Sequence, residues 1–250
     1  MDIASISAAV SAASLIESRT SRTESSDPVK QAFQKADKRV QQQRELVSVE
    51  LSSFGKLKSS FSDVQTNSRA LSSSKQTATD ADIKKAASNF VKAFNSAAQT
   101  AKAATTAQAT LGDSSRARAA ESDLRRSIST DAATAADLKQ IGITRQKDRT
   151  LAIDEEKFDA ALKVNPDALR GTLSKIGQQV DRTATRELSA NGNIGRSVNT
   201  LTSRAKILES QQVEQQAQAA AAQQAVSAQA ARLDNNVNPG IAAYLKIFSI

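Results

Sequence analysis

Phe33, Val40, Val47, Phe54 and Phe61 recur at a strict spacing of seven residues. Leu57, Val64 and Leu71 fill the companion position three residues later, which Gln43 and Glu50 occupy earlier in the run. An α-helix brings residues spaced in this way onto one face, and a repeat that stays at seven without drifting marks the seam of a coiled coil or bundle helix. The competing reading is an ordinary amphipathic helix. Asp27-Pro28 supplies its start, with Asp as N-cap and Pro at the first helical position. A second long helix is written near the other end. Val198, Leu201, Ala205, Leu208, Gln212, Gln215, Ala219, Ala222, Val226, Gln229 and Leu233 alternate in steps of three and four. That seam begins apolar and turns small and polar, so it permits close approach but supplies little hydrophobic stabilisation and calls for a partner. Asn235-Asn236 and Asn238-Pro239-Gly240 read as its stop.

Composition agrees with helices packed in thin layers. Hydrophobic residues make up 39% of the 250, many of them alanine, and aromatic residues only 3%. Alanine buries little area, so burial per residue is small, while its helix propensity is the best of all residues. The expected fold class is mainly α: an elongated helical bundle or coiled coil of N- and C-terminal helices, with a small helical body. There is no Cys and no His, which removes disulfides, thiolate metal sites, the usual general base and the commonest metal ligand. The loose carboxylates Asp154, Glu155 and Glu156 sit at a predicted helix start, where acidic residues complement the helix dipole. No catalytic, cofactor-binding or metal-binding residue is assigned, and the expectation is a protein that is not an enzyme.

The formal net charge is +8. The densest cationic run, Lys35, Lys38, Arg39 and Arg44, is interrupted by Asp37 and followed by Glu45 and Glu50. A basic helical nucleic-acid binder is the rival reading; the near absence of aromatic stacking platforms favours a solvated helix face, with no nucleic acid as partner. No stretch approaches the roughly 20 apolar residues of a membrane span, so membrane insertion is not expected. Residues 1–27 are rich in Ser, Ala and Thr and read as a disordered segment. The N-terminus lacks the basic start of a secretory signal, so if the chain leaves the cell the expected route is export without a cleaved signal peptide.

The middle of the chain has another texture. Residues 79–109 are helical by propensity, with a short apolar face at Ile83, Ala87, Phe90, Val91 and Phe94. Leu111-Gly112-Asp113-Ser114 reads as a stop and a capped restart into residues 116–128. Ile141-Gly142-Ile143 and Thr150-Leu151-Ala152-Ile153, around the polar turn 144–149, predict a β-hairpin near residues 141–153. Asp154 then caps a helix over 155–164, and Asn165-Pro166 starts another through Leu173. The domain reading is terminal coiled-coil helices at 28–71 and 196–250 and a central body at 72–195.

At these residues the chain resembles the family of flagellar hook-associated protein 2, the flagellar filament cap. Leu111-Gly112-Asp113-Ser114 with Leu124-Arg125 is similar to that family's helix start. Ile141-Gly142-Ile143-Thr144, Lys147-Asp148 and Thr150 to Asp154, with Phe158 and Leu162, resemble its hairpin-and-helix signature. Asn165-Pro166-Asp167-Ala168-Leu169 resembles the helix start that follows. Asn89-Phe90-Val91 with Phe94-Asn95, and the run Ser52 to Ser59, are similar to segments upstream. The pieces come in the family's order and span residues 29–233. Three departures stand out. The large β-rich outer domains usual between the first long helix and the phenylalanine-valine segment are replaced by residues 72–79. The turn often written Lys-Asp-Gly-Thr reads Lys147-Asp148-Arg149-Thr150, placing Arg at an expected left-handed position. The segment before Asp27 does not look like the family's start.

The resemblance implies a structural component of the bacterial flagellum, located outside the cell, that supports flagellin assembly at the filament tip. It implies a ring-like homo-oligomer with flagellin or hook-associated proteins as partners, no cofactor, and an export chaperone on the C-terminal tail. A non-cap axial or secretion-associated bridging protein built on the same body is the alternative. Candidate assembly contacts are the seam residues Phe54, Leu57 and Phe61, for which packing inside the chain is the competing role. The tail residues Leu245, Ile247 and Phe248 join them, lying in the most apolar stretch of the sequence; that tail reads equally as a last docked helix.

Overall fold

The computed structural model describes residues 28–73, 78–106, 111–129 and 132–247, the last fifteen of them as backbone only. Residues 1–27, expected to be disordered, lie outside the described residues, as does Asp27, the expected N-cap. The chain runs through α1 (Pro28–Ser72), α2 (Asp80–Thr106), α3 (Leu111–Ser127), α4 (Ala132–Gln140), β1 (Ile143–Arg145), β2 (Leu151–Ile153), α5 (Glu155–Val164), α6 (Pro166–Leu188) and α7 (Asn193–Ile247). The architecture is mainly α, with one two-stranded antiparallel hairpin and helices packed as a bundle.

Two compact units divide the described residues: one takes the chain up to Arg44 and from Lys206 on, the other Glu45–Ala205. In the first unit Val40 and Leu208 are buried, and Arg44 Nη1 donates to Gln212 Oε1. Along α7, Gln212, Gln215, Ala219 and Ala222 are the half-buried residues while those between them are exposed. These are the small and polar positions of the predicted seam; Val226 and Gln229, which the spacing also places on it, are exposed.

The second unit carries the apolar core. Val47, Phe54, Leu57, Phe61, Val64 and Leu71 line the inner face of α1, and Ser68 continues the spacing of seven at full burial. This part of α1 runs antiparallel to α6. Gln65 Nε2 donates to Thr185 Oγ1 (2.6 Å), Arg69 pairs with Asp181 (2.9 Å), and Ser174 Oγ donates to the Ser72 carbonyl (3.1 Å). Gly177 makes the crossing close: a Cβ there would stand 2.5 Å from the Ser68 carbonyl oxygen and 2.9 Å from the Ser72 nitrogen. Helix α2 packs on α3, and α3 on α6, with Phe90, Phe94, Leu124, Leu173 and Ile176 buried among them. The Phe90 and Phe94 rings lie 6.1 Å apart in a tilted pair, a favourable aromatic arrangement.

Four expectations need correction. Helix α7 does not stop at Asn235-Asn236 or Asn238-Pro239-Gly240 but continues to Ile247. Proline removes one ladder hydrogen bond, and the helix formers Ala242, Ala243, Leu245 and Lys246 beyond it carry the helix on. Helix α6 runs to Leu188, not Leu173; Leu169, Leu173, Ile176, Val180 and Ala184, all buried, extend its inner face in steps of three and four. Helix α3 begins at Leu111, so Gly112 and Asp113 fall in its first turn. The Asp113 carboxylate accepts from Ser197 Oγ (2.7 Å) and pairs with Arg116 (3.0 Å), which ties the start of α3 to α7. The first strand occupies 143–145 rather than 141–143, because Gly142 is used for a turn at φ +81.

Candidate assembly surfaces

The hairpin is fastened to the second unit from three sides. Its register pairs Ile143 with Ile153, Thr144 with Ala152 and Arg145 with Leu151. Gln146 N donates to the Thr150 carbonyl (2.8 Å) and Asp154 N to the Gly142 carbonyl (2.8 Å). Antiparallel pairs alternate between hydrogen-bonded and non-bonded positions, so Leu151 falls at a non-bonded one. Its amide and carbonyl point away from β1 and would be left open at a buried residue. Asn95 of α2 answers both: Leu151 N donates to Asn95 Oδ1 (2.7 Å), and Asn95 Nδ2 donates to the Leu151 carbonyl (2.8 Å). One side-chain amide thus stands in for a third strand.

At the base of the hairpin, a Cβ on Gly142 would lie 2.7 Å from the Asp154 carbonyl oxygen and 2.9 Å from Phe158 N. Glycine is required there by both its positive φ and the close approach of α5. Asp154 caps α5, its carboxylate accepting from Lys157 N (3.1 Å) and facing Lys157 Nζ (2.9 Å). These hydrogen bonds hold its carboxyl below the usual carboxylate range. Lys84 of α2 pairs with Asp159 of α5 at 2.8 Å, which raises the lysine above its ordinary value.

At the tip, Asp148 Oδ1 accepts from Thr150 Oγ1 (2.7 Å) and Thr150 N (3.0 Å), which lowers the Asp148 carboxyl. Arg149 N donates to the Gln146 carbonyl (3.0 Å), and Arg149 stands at φ +74. This is a three-residue loop closed by a left-handed residue, a position that favours glycine. The left-handed Arg anticipated from the sequence is observed.

The candidate contact residues fall into separate places. Phe54, Leu57 and Phe61 are fully buried in the second unit, packed inside a single chain. Leu245 and Ile247 lie on the last turns of α7, where only the backbone is described, and Phe248 lies outside the described residues. Sequence reasoning missed exposed large apolar side chains at Ile207 and Val213 on α7, Leu46 and Val49 on α1 and Val164 at the end of α5, and it placed Val226, also exposed, on the α7 seam. Ile207, Val213, Leu46 and Val49 lie off the seam spacing, which is the signal that they face outward, whereas Val226 lies on the spacing and is exposed all the same. The carboxylates Asp154, Glu155 and Glu156 follow one another at the start of α5, where Asp154 caps the helix. Among the described residues no group of three or more acidic side chains is placed to hold a metal ion. No helix there is long and apolar enough to cross a membrane.

Residues 65–239 match the family model for the flagellar hook-associated protein 2 C-terminus. The matched span takes in the last turns of α1, the whole hairpin-bearing body and most of α7. The comparison with curated proteins gives no match. Because the matched span is well over half the chain and holds the hairpin, its caps and the helices that clamp it, this chain belongs to the flagellar hook-associated protein 2 family, the structural proteins that cap the flagellar filament.

Proposed function

We propose that the chain acts at the filament tip as a self-associating, non-catalytic cap subunit, forming a ring-like homo-oligomer that contacts flagellin or hook-associated proteins. Membership of the family over residues 65–239 carries this reading. The seam of α7 supports it: beyond Leu208 no described side chain of that helix is buried, and Ile207, Val213 and Val226 are exposed. A helix this poor in intramolecular burial gains stability from partners, because isolated helical propensity gives little. In this reading the second unit is the rigid body and α7 the contact element. The apolar tail from Ile241 on, including Leu245, Ile247 and Phe248, is the segment that an export chaperone covers before assembly.

Light scattering coupled to size exclusion tests the assembly, on the full chain and on a chain ending at Asn235. A discrete oligomer of the full chain that dissociates on truncation is expected. A monomer in both at micromolar concentration, in the presence and absence of flagellin, refutes self-assembly through the end of α7. Removing residues 241–250 is expected to leave the second unit folded and abolish capture by the cognate chaperone; undiminished capture refutes that assignment.

A further inference from the structure

A cavity of about 670 Å³ opens in the second unit, where the end of α2, α3 and the hairpin tip meet. Ala98, Gln99, Lys102 and Thr105 line it from α2, Arg118 and Glu121 from α3, and Lys147, Asp148, Arg149 and Thr150 from the tip. Four cations therefore face two acids. Both acids are already engaged, Glu121 by Arg125 at 3.2 Å and Asp148 by Thr150. None of Lys102, Arg118, Lys147 and Arg149 makes an ion pair among the described residues, and all four are exposed. The cavity is thus left with a surplus of positive charge over a partly apolar floor, an arrangement that focuses the field outward.

One of these cations is held at a conformational expense. Arg149 occupies the left-handed region at φ +74, where a non-glycine residue is strained by about 1–2 kcal/mol. Strain of this kind clusters at functional sites, which makes the side chain kept there in place of glycine one to test. The side chain that glycine would forgo here is a guanidinium on the rim of an unneutralised cationic cavity.

The geometry points to a docking site for an acidic peptide segment of another protein, its Asp or Glu carboxylates paired with Lys102, Arg118, Lys147 and Arg149. The volume falls in the range of about 300–1,000 Å³ that encloses drug-sized ligands, larger than a lone inorganic anion requires. A second copy of this chain is disfavoured as occupant, since its longest acidic run, Asp154-Glu155-Glu156, stands at the start of α5 with Asp154 engaged as the cap. Single-stranded nucleic acid is disfavoured because no aromatic side chain lines the cavity to stack a base. Arg118 and Arg149 present forked donors that suit carboxylates two bonds at a time. No residue of α7 lines the site, and it does not depend on the assembly reading.

The test is fluorescence anisotropy with a labelled ten-residue peptide rich in Glu, compared with the same peptide carrying Gln at every Glu. The full chain is measured beside Lys102→Gln/Arg118→Gln/Lys147→Gln/Arg149→Gln. A variant of equal charge change in the same unit, Lys56→Gln/Lys58→Gln/Lys175→Gln/Arg182→Gln, controls for net charge. Exposed ion pairs contribute about 1.4- to 5-fold each in affinity, so the cavity variant should bind about 4-fold or more weakly and the control less than about 2-fold. Arg149→Gly separates binding from folding: it should raise the melting temperature while weakening the peptide about 2- to 5-fold. No binding by the unaltered chain overturns the proposal. So does equal loss in the two quadruple variants, or a single-stranded oligonucleotide of the same charge binding as tightly as the peptide.

Discussion

Removing the Asn95 amide should loosen the hairpin before anything else. Asn95→Ala deletes two hydrogen bonds, from Leu151 N (2.7 Å) and to the Leu151 carbonyl (2.8 Å), and leaves both backbone groups without a protein partner. A neutral hydrogen bond contributes about 0.5–1.5 kcal/mol net, and a stranded buried group more. Asn95 is only half-buried, so water reaches part of the vacated space and the sum belongs near the lower bound, at about 1–3 kcal/mol for the second unit. Asn95→Asp keeps the acceptor for Leu151 N but sets a carboxylate oxygen against the Leu151 carbonyl, so it should be at least as destabilising. Urea unfolding gives the global figure, and amide hydrogen exchange gives the diagnostic one. Leu151 should lose protection in Asn95→Ala, while Gln146 and Asp154, whose amides bond across the hairpin, keep more of theirs. Unchanged protection at Leu151, or a stability change below about 0.5 kcal/mol, refutes the assignment of Asn95 as the hairpin's third strand.

Other perturbations follow from packing and charge. Gly177→Ala should destabilise by about 1–3 kcal/mol, because its Cβ meets the α1 backbone. Gly171→Ala on the same helix has open space and should stabilise by about 0.5–1 kcal/mol; like signs for the pair in thermal melts would refute the close crossing of α1 and α6. Phe61→Ala should cost about 3–5 kcal/mol yet leave the oligomeric state of the still-folded fraction unchanged, as light scattering would report. The carboxyls of Asp82, Asp148 and Asp154 are all lowered, chiefly by side-chain hydrogen bonds to Thr79, Thr150 and Lys157. Folded values below unfolded ones stabilise above about pH 4, and that contribution is lost as pH falls through the folded values. Lys84, raised chiefly by its hydrogen bond to Asp159, contributes with the opposite sign and loses its share only as pH climbs past about 10.4. A denaturation midpoint that rises as pH falls below about 4 would contradict the carboxylate sign, and one that rises as pH climbs past about 10.4 would contradict that of Lys84.

The features legible in the sequence are those that act over a few residues. The spacing of seven in α1 names its buried face, and that of three and four in α7 names a stripe that is half-buried from Gln212 to Ala222, because a helix repeats every 3.6 residues whatever it packs against. Asp154 and Asn165 cap α5 and α6 as read, since a cap needs only a side chain and an amide three residues on. The left-handed position of Arg149 was equally local. The end of α7 is not legible in its turn residues, because the helix formers on either side carry the helix through them, and the full length of α6 lies in a step of three and four that continues past Leu173 to Ala184.

Contacts between distant positions could not be read this way. Nothing near Asn95 in the chain announces that its amide meets Leu151, 56 residues on, or that Asp113 receives Ser197 from 84 residues away. The same holds for Gly177, whose neighbours are the carbonyl of Ser68 and the nitrogen of Ser72, and for the four cations gathered around one cavity from two helices and a turn. Sequence by itself determined the helices, their inner faces, their caps and the hairpin, because hydrogen bonds and periodicity within one segment fix them. Tertiary structure decided which face meets which and where charge is left without a partner, because those depend on how segments far apart in the chain come to lie side by side.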